Sequence, residues 1–439
     1  MTLHPFIAAV NGAALTRAHG YVRKVAPAMI EATGPAAALG DLCEIDGPGS
    51  TAVMLAEVVG AGEAGVVLVP LETGGVVRPG FRVSALPRGK GVAVGDAFAG
   101  RAVDALGRAI DGGKPLPGDT LARAGALVPR PLERVDPAAV LPTGIRAIDG
   151  LLTLARGQRV GIFAASGVGK TSLVEQLALQ IPSTRCILCL VGERGREVEA
   201  FWRLLSTRPD RARYTLVAAT SDESAALRAR SVDYALSLAE YWRDRGEQVL
   251  LLVDSVTRLA MALREIGLAA GAPPTVRAYT PNVFSVLPTV VERCGALQSG
   301  GSITAIMTVL SETDDVDDPI VELMKSLLDG HFVLSRSLAE QGHFPALDVV
   351  RSVSRGADRL IPAAHRAAVR KAVAQLALYD ESRVMVESGL YRTGSNAPLD
   401  QALGARSALN GFLRQPRDEE SAFQDTVRRL AEVTGGAHD

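Results

Sequence analysis

The segment "GIFAASGVGKTSL", residues 161–173, has the residue types needed to hold a polyphosphate, in a workable order. Ala165, Ser166, Gly167, Val168 and Gly169 leave room for backbone N–H groups to turn toward phosphate oxygens. Lys170 comes next and is long enough to reach terminal phosphates, while the hydroxyl of Thr171 is a hard ligand suited to magnesium. An apolar run precedes the loop, and Leu173, Val174, Leu177 and Ile181 follow with helical spacing. That context predicts strand, loop and helix, with the helix N-terminus adding its dipole to the anion site. The first glycine of the strict G-x-x-x-x-G-K-[ST] pattern is replaced by Ala164.

Two acids belong with this loop. In "EQVLLLVDSVTRLA", Asp254 ends an apolar strand, where a carboxylate can hold magnesium through a water molecule. In "CILCLVGERGREVEAF", residues 186–201, Glu193 ends a second such strand. The carboxyl ends of parallel strands converge on one crevice, so Glu193 is placed to polarise a water against a γ-phosphate. The plainer alternative is an ion pair with Arg194 or Arg196. The same stretch carries Cys186 and Cys189 at the spacing of a metal or redox pair, but strand residues three apart face opposite ways, which predicts buried apolar packing instead. The six histidines are scattered and suggest no metal cluster. Arg355, in "RSVSRGADR", reads locally as a solvated surface residue.

The elements that must position these groups follow from the texture of the 439-residue chain, which is too long for one core. Residues 1–92 are rich in Val and Gly in short runs such as "GVVLVPL", which predicts a small β barrel. Residues 93–362 hold the phosphate loop, behind a Pro- and Gly-punctuated connector at 112–144. There, strands at Arg159–Ala164, Arg185–Gly192, Tyr214–Ala218, Gln248–Val253, Ile303–Leu310 and Phe332–Leu334 alternate with helices. That pattern predicts an α/β core on a mainly parallel sheet. Val369, Ala372, Val373 and Leu376 open an all-helical unit at 363–439. Lys and Arg number 47 against 48 Asp and Glu, a balance that argues against a nucleic-acid partner. Four cysteines make no disulfide framework, "MTLHPFIAAVNGAALTRAHG" is a poor secretory signal, and no apolar run approaches the about 18 residues of a spanning helix. A cytoplasmic chain is expected.

Several long runs together resemble one known family: "LPTGIRAIDGLLTLARGQRVGIFAASGVGKTSL", "GERGREV", "LLVDSVTRLAMALREIGLAAG" and "DGHFVLSRSLAEQGHFPALDVVRSVSRGADR". They look like the rotary-type ATPase superfamily, and more closely the ATPases of type III protein export, flagellar or injectisome. The resemblance covers nearly the whole chain. It implies a RecA-like P-loop core, ATP and Mg2+ as cofactors, and a homohexamer with each ATP site at a subunit boundary. It further implies Glu193 as the catalytic glutamate, with Lys170 also catalytic and Arg194 contacting phosphate. Thr171 and Asp254 would be the magnesium residues, and Phe344, in "GHFPALD", the aromatic that stacks on adenine. Arg355 would be an arginine finger reaching the neighbouring subunit's γ-phosphate. The segment 271–284 matches one facing the ring's channel and a central coiled-coil stalk protein.

The other implied partners are a stator-like regulator at the N-terminus, export chaperones and substrates, and a membrane export gate approached peripherally at the inner face of the cell membrane. The implied function is ATP hydrolysis that energises export by chaperone release and substrate unfolding or delivery. Ala272 and Ala278 stand where Glu and Gly are frequent in the family, and Arg417 where ATP-synthase catalytic subunits carry an aromatic. One alternative is the catalytic subunit of a rotary ATP synthase or ion pump. Such assemblies mix catalytic and non-catalytic chains, whereas this chain has both Glu193 and Arg355. A non-hydrolysing nucleotide-binding subunit would carry a neutral residue at 193. An RNA-driven hexameric helicase would need a basic, aromatic barrel, and residues 1–92 offer only Phe6, Tyr21 and Phe81.

Overall fold

The computed structural model describes residues 18–47, 53–72, 75–86, 92–122, 128–311 and 318–435. Phe6 and the rest of the opening segment lie outside the described residues, as do residues 123–127 of the connector. Six short antiparallel strands form the N-terminal unit: β1 (His19–Val25), β2 (Ile30–Ala32), β3 (Leu42–Asp46), β4 (Met54–Gly62), β5 (Gly65–Pro70) and β6 (Arg82–Ala85). They close as a barrel in the order β1-β2-β5-β4-β3-β6, with β1 pairing back onto β6. Alternate residues point inward, so Cys43 and Ile45 of β3 meet Ala56 and Val58 of β4 in the interior. Gly65 is required there: its φ is +126°, and a Cβ would lie 1.9 Å from the Ala32 carbonyl oxygen.

The core is a ten-stranded sheet. Its main path uses β7 (Ala102–Val103), β8 (Arg159–Ala164), β9 (Arg185–Glu193), β10 (Tyr214–Thr220), β11 (Gln248–Asp254), β12 (Ser302–Leu310), β13 (Gly330–Leu334) and β14 (Leu347–Ser354). The order is β14-β13-β8-β12-β11-β9-β10-β7. Every neighbouring pair on this path is parallel except β13 with β14. The six core strands expected from the sequence are present, with ends shifted by a residue or two. β7 and β14 were not expected. β7 is only two residues long, and β14 is an edge strand whose Asp348 and Arg351 interrupt its apolar pattern.

Burial on both faces explains the unbroken apolar runs of the central strands. Cys186, Leu188 and Leu190 pack on one side of β9, and Ile187, Cys189 and Val191 on the other. The CxxC spacing therefore places its two thiols in different halves of the core. Burial pushes both up to about 12, so they remain protonated. Among the described residues no group of three or more His, Cys, Asp or Glu is arranged to hold a metal.

Three helices, Ala363–Glu387, Ala397–Leu413 and Phe423–Val433, form the C-terminal unit. It is tied to the core by Arg146, whose buried guanidinium donates from Nε to the Phe412 carbonyl at 2.9 Å and also pairs with Glu419. Among the described residues no helix is long and apolar enough to cross a membrane.

The segment 271–280 links the helix Val256–Ala269 to the helix Pro281–Glu292. Its turn is closed by the Thr275 hydroxyl, which donates to the Tyr279 carbonyl at 2.7 Å. Arg277 and Ala278 are left-handed, with φ of +50° and +62°. A side chain in that region costs roughly 1–2 kcal/mol; glycine removes that cost, but its larger loss of freedom on folding offsets part of the gain. Ala278→Gly is therefore expected to stabilise the protein by about 0.5–1 kcal/mol, read as a raised denaturant midpoint with unchanged slope.

Candidate active site

The sheet order assembles the site. β8, β12, β11 and β9 are adjacent, so their carboxyl ends bring the phosphate loop, Thr308, Asp254 and Glu193 to one crevice. The loop leaves β8 after Ala164, whose carbonyl accepts from the Ser311 N–H at 3.0 Å. Val168 is buried beneath the loop, while Gly167 and Gly169 are left-handed, with φ of +80° and +93°. Gly169 is the residue before the helix Lys170–Gln180, whose first turn carries Lys170 and Thr171. The ring of Phe344 lies against the loop, since a Cβ on Gly169 would sit 3.5 Å from its edge. Gly169→Ala is thus expected to strain the backbone and to weaken ATP binding, measured as a raised Kd.

Lys170 extends from this helix to the two acids. Its ammonium pairs directly with Asp254 and stands 3.8 Å from a Glu193 oxygen. Asp254 is buried and also accepts a 2.7 Å hydrogen bond from the Thr308 hydroxyl. Glu193 is only 6 % exposed, and its second cation is Arg258, whose Nε donates to Oε1 at 3.2 Å. Burial raises the Glu193 carboxyl above the ordinary glutamate range, and the Asp254 charge raises it further; Lys170 and Arg258 oppose both. Gly192, with φ of +66°, lets the chain turn here, since a Cβ would lie 3.0 Å from the Arg258 side chain.

The arginine bracing Glu193 is therefore neither Arg194 nor Arg196. Arg194 is the exposed residue preceding the helix Gly195–Ser206, and Arg196 is exposed in its first turn. Arg258 was not anticipated, although "VDSVTRLA" carries the signal: it lies four residues beyond Asp254, in the first turn of the next helix. Thr308 was missed for a simpler reason, because nothing near it marks an apolar strand's hydroxyl as a partner for an acid.

Beyond the loop, Phe344 is half exposed, and its carbonyl accepts from the Gln415 N–H at 2.9 Å. Arg417, two residues further on, pairs with Glu175 on the helix that follows the phosphate loop.

Arg355 is not among these groups. It follows β14, which runs antiparallel to β13, so it emerges at the amino ends of the parallel strands. Its N–H donates to the Asp329 carbonyl at 2.8 Å, and among the described residues its exposed side chain makes one hydrogen bond, to the Lys325 carbonyl at 3.5 Å. The six-residue length of β8 separates that edge from the phosphate loop of the same chain, roughly 15–20 Å at strand rise.

Residues 144–354 match the ATP synthase alpha/beta family, nucleotide-binding domain, and residues 361–432 match the T3SS EscN ATPase C-terminal domain. The chain is 43% identical to a type 3 secretion system ATPase of Xanthomonas euvesicatoria, over 97% of this chain and 96% of that one. It is also 43% identical to a flagellum-specific ATP synthase of Salmonella typhimurium, over 94% and 93%. Among solved structures it is similar to the assembled ATPase EscN from the enteropathogenic E. coli type III secretion system. That match has a TM-score of 0.89 and 38% identity, covering 94% of this chain and 100% of that one. EscN in complex with its central stalk EscO matches with a TM-score of 0.85 and 36% identity, over 94% and 100%.

Proposed function

The chain belongs to the ATPases of type III secretion and flagellar export, and from that membership we propose how its own residues divide the hydrolysis of ATP. The loop 165–169 presents backbone N–H groups to the phosphates, and Lys170 moves from its acids to the terminal phosphates as ATP enters. Thr171 and Asp254 would hold Mg2+. A hydroxyl and a buried carboxylate form a hard oxygen set, and Asp254 already attracts a cation, the Lys170 ammonium. When bound, that ion would neutralise charge between the terminal phosphates. Glu193, freed as Lys170 turns to the nucleotide, orients the attacking water and accepts its proton; Arg258 holds the carboxylate in place. Phe344 offers its half-exposed ring to adenine, Arg417 lies on the same flank, and Arg194 is free to meet phosphate.

Arg355 is the observation that carries the assembly. An exposed arginine at the sheet edge remote from its own phosphate loop serves an ATP site only if another copy presents one, which supports a homohexameric ring with shared sites. The ring would energise protein export, releasing chaperones and unfolding or delivering substrates at a membrane export gate, on the inner face of the cell membrane. Segment 271–284 would face a central coiled-coil stalk, and the N-terminal unit would meet a stator-like regulator. The test is specific activity against protein concentration with mass by light scattering. Activity should rise as rings form, and activity independent of assembly would refute the shared site.

Titration supplies a second expectation. A base must be ionised, and the Glu193 pKa lies above the ordinary value of about 4.3. The kcat/KM profile should therefore lose activity on its acid side at a pH above that value. An acid limb at or below it would contradict the assignment.

A further inference from the structure

Among the described residues the side chain of Arg355 makes one long hydrogen bond, so the direction in which it leaves the sheet edge is set largely by its backbone. That backbone is held from two sides. The Arg355 N–H donates to the Asp329 carbonyl at 2.8 Å. Gln158, 2 % exposed, donates from Nε2 to Ser354 Oγ at 3.0 Å and to the Arg355 carbonyl at 3.3 Å. Asp329 is in turn fixed by Arg159, the first residue of β8. The Arg159 guanidinium donates from Nε to Oδ2 at 3.0 Å and from Nη2 to Oδ1 at 2.9 Å, and its backbone N–H adds a third bond to Oδ2 at 2.9 Å. A planar two-point grip of this kind fixes orientation as well as distance.

The remaining nitrogen of Arg159 faces elsewhere. Nη1 makes an ion pair at 3.0 Å with Glu292, the last residue of the helix Pro281–Glu292. The other Glu292 oxygen is met by Arg134 at 3.0 Å. One guanidinium thus joins the base of Arg355 to the end of the helix that follows segment 271–280.

We propose that Arg159 is a positioning residue: through Asp329 it sets the geometry from which Arg355 reaches a neighbouring copy's ATP site, and it couples that geometry to the helix Pro281–Glu292. This rests on the reading of Arg355 as a finger acting between subunits. Small displacements of a group that stabilises a transition state cost rate without costing substrate affinity, and a shift of about 1 Å can cost 10²-fold. A residue needed only for stability would instead affect melting and assembly.

The experiment compares Arg159→Lys, Arg355→Ala and the double variant for kcat in the assembled protein, Kd for ATP, mass by light scattering and melting midpoint. Lysine keeps the charge between Asp329 and Glu292 and removes the fork. Arg159→Lys should lower kcat by about 10–10²-fold with Kd and mass unchanged. The double variant should be no slower than Arg355→Ala, because a misaimed finger and an absent one lose the same interaction. Should Arg159→Lys assemble poorly, Asp329→Asn, which keeps the side chain's shape, makes the same test. Full kcat in these variants beside an inactive Arg355→Ala overturns the positioning role alone, as does a double variant slower by the product of the two losses. Full activity in Arg355→Ala overturns the finger reading itself, and the positioning role with it.

Discussion

Glu193→Gln should lose about 10²–10⁴-fold in kcat while retaining its Kd for ATP. The amide keeps the size of the side chain, and its oxygen can still accept from Arg258, but it cannot take a proton from water. Stability should move the other way. The folded-state pKa of Glu193 is raised, so its protonated form is favoured by folding. Any stability from that group is full below the unfolded value of about 4.3 and is lost as pH rises through the folded value. At pH 8 the ionised carboxylate weighs against the nucleotide-free fold, and Glu193→Gln should melt at the same temperature as the parent or higher. Toward pH 4 the difference should vanish. A variant that melts early at pH 8 would mean that Glu193 serves the fold through its cations. Undiminished kcat would remove it from catalysis.

Arg355→Ala should lose about 10³–10⁵-fold in kcat of the assembled protein, the range that arginine fingers supply. The single chain should lose nothing in ATP affinity or melting temperature, because the side chain is exposed and, among the described residues, makes one long hydrogen bond, to the Lys325 carbonyl. This separation distinguishes it from Lys170→Ala. That change removes the cation shared by Asp254 and Glu193 and should depress ATP binding in the isolated chain.

What could be read along the chain follows from where the physical causes lie. The central strands are buried on both faces and so spell out as apolar runs, and the chemistry at their carboxyl ends stands out as the residue that breaks the run, Asp254 or Glu193. The edge strand Leu347–Ser354 has one face against the core and one toward solvent, and its mixed pattern hid it. Arg258 escaped because its bond to Glu193 joins residues 65 positions apart across two strand ends. The Ala278 departure from family pattern was visible as a residue type, but its cost became apparent only from a backbone in the left-handed region. Arg355 had no local signal because its proposed partner belongs to another copy, and only the antiparallel turn of β14 reveals which edge it occupies.

The shared site is tested most directly by mixing two inactive chains, Glu193→Gln and Arg355→Ala, under conditions where rings exchange subunits. In the proposed ring each interface would take its phosphate loop and Glu193 from one chain and its finger from the next. Some mixed interfaces therefore pair the intact Glu193 of an Arg355→Ala chain with the intact Arg355 of a Glu193→Gln chain. Recovery of ATPase activity on mixing, absent from either chain alone, is the expected result. No recovery in rings shown by mass to contain both chains would contradict an ATP site built between copies of this protein.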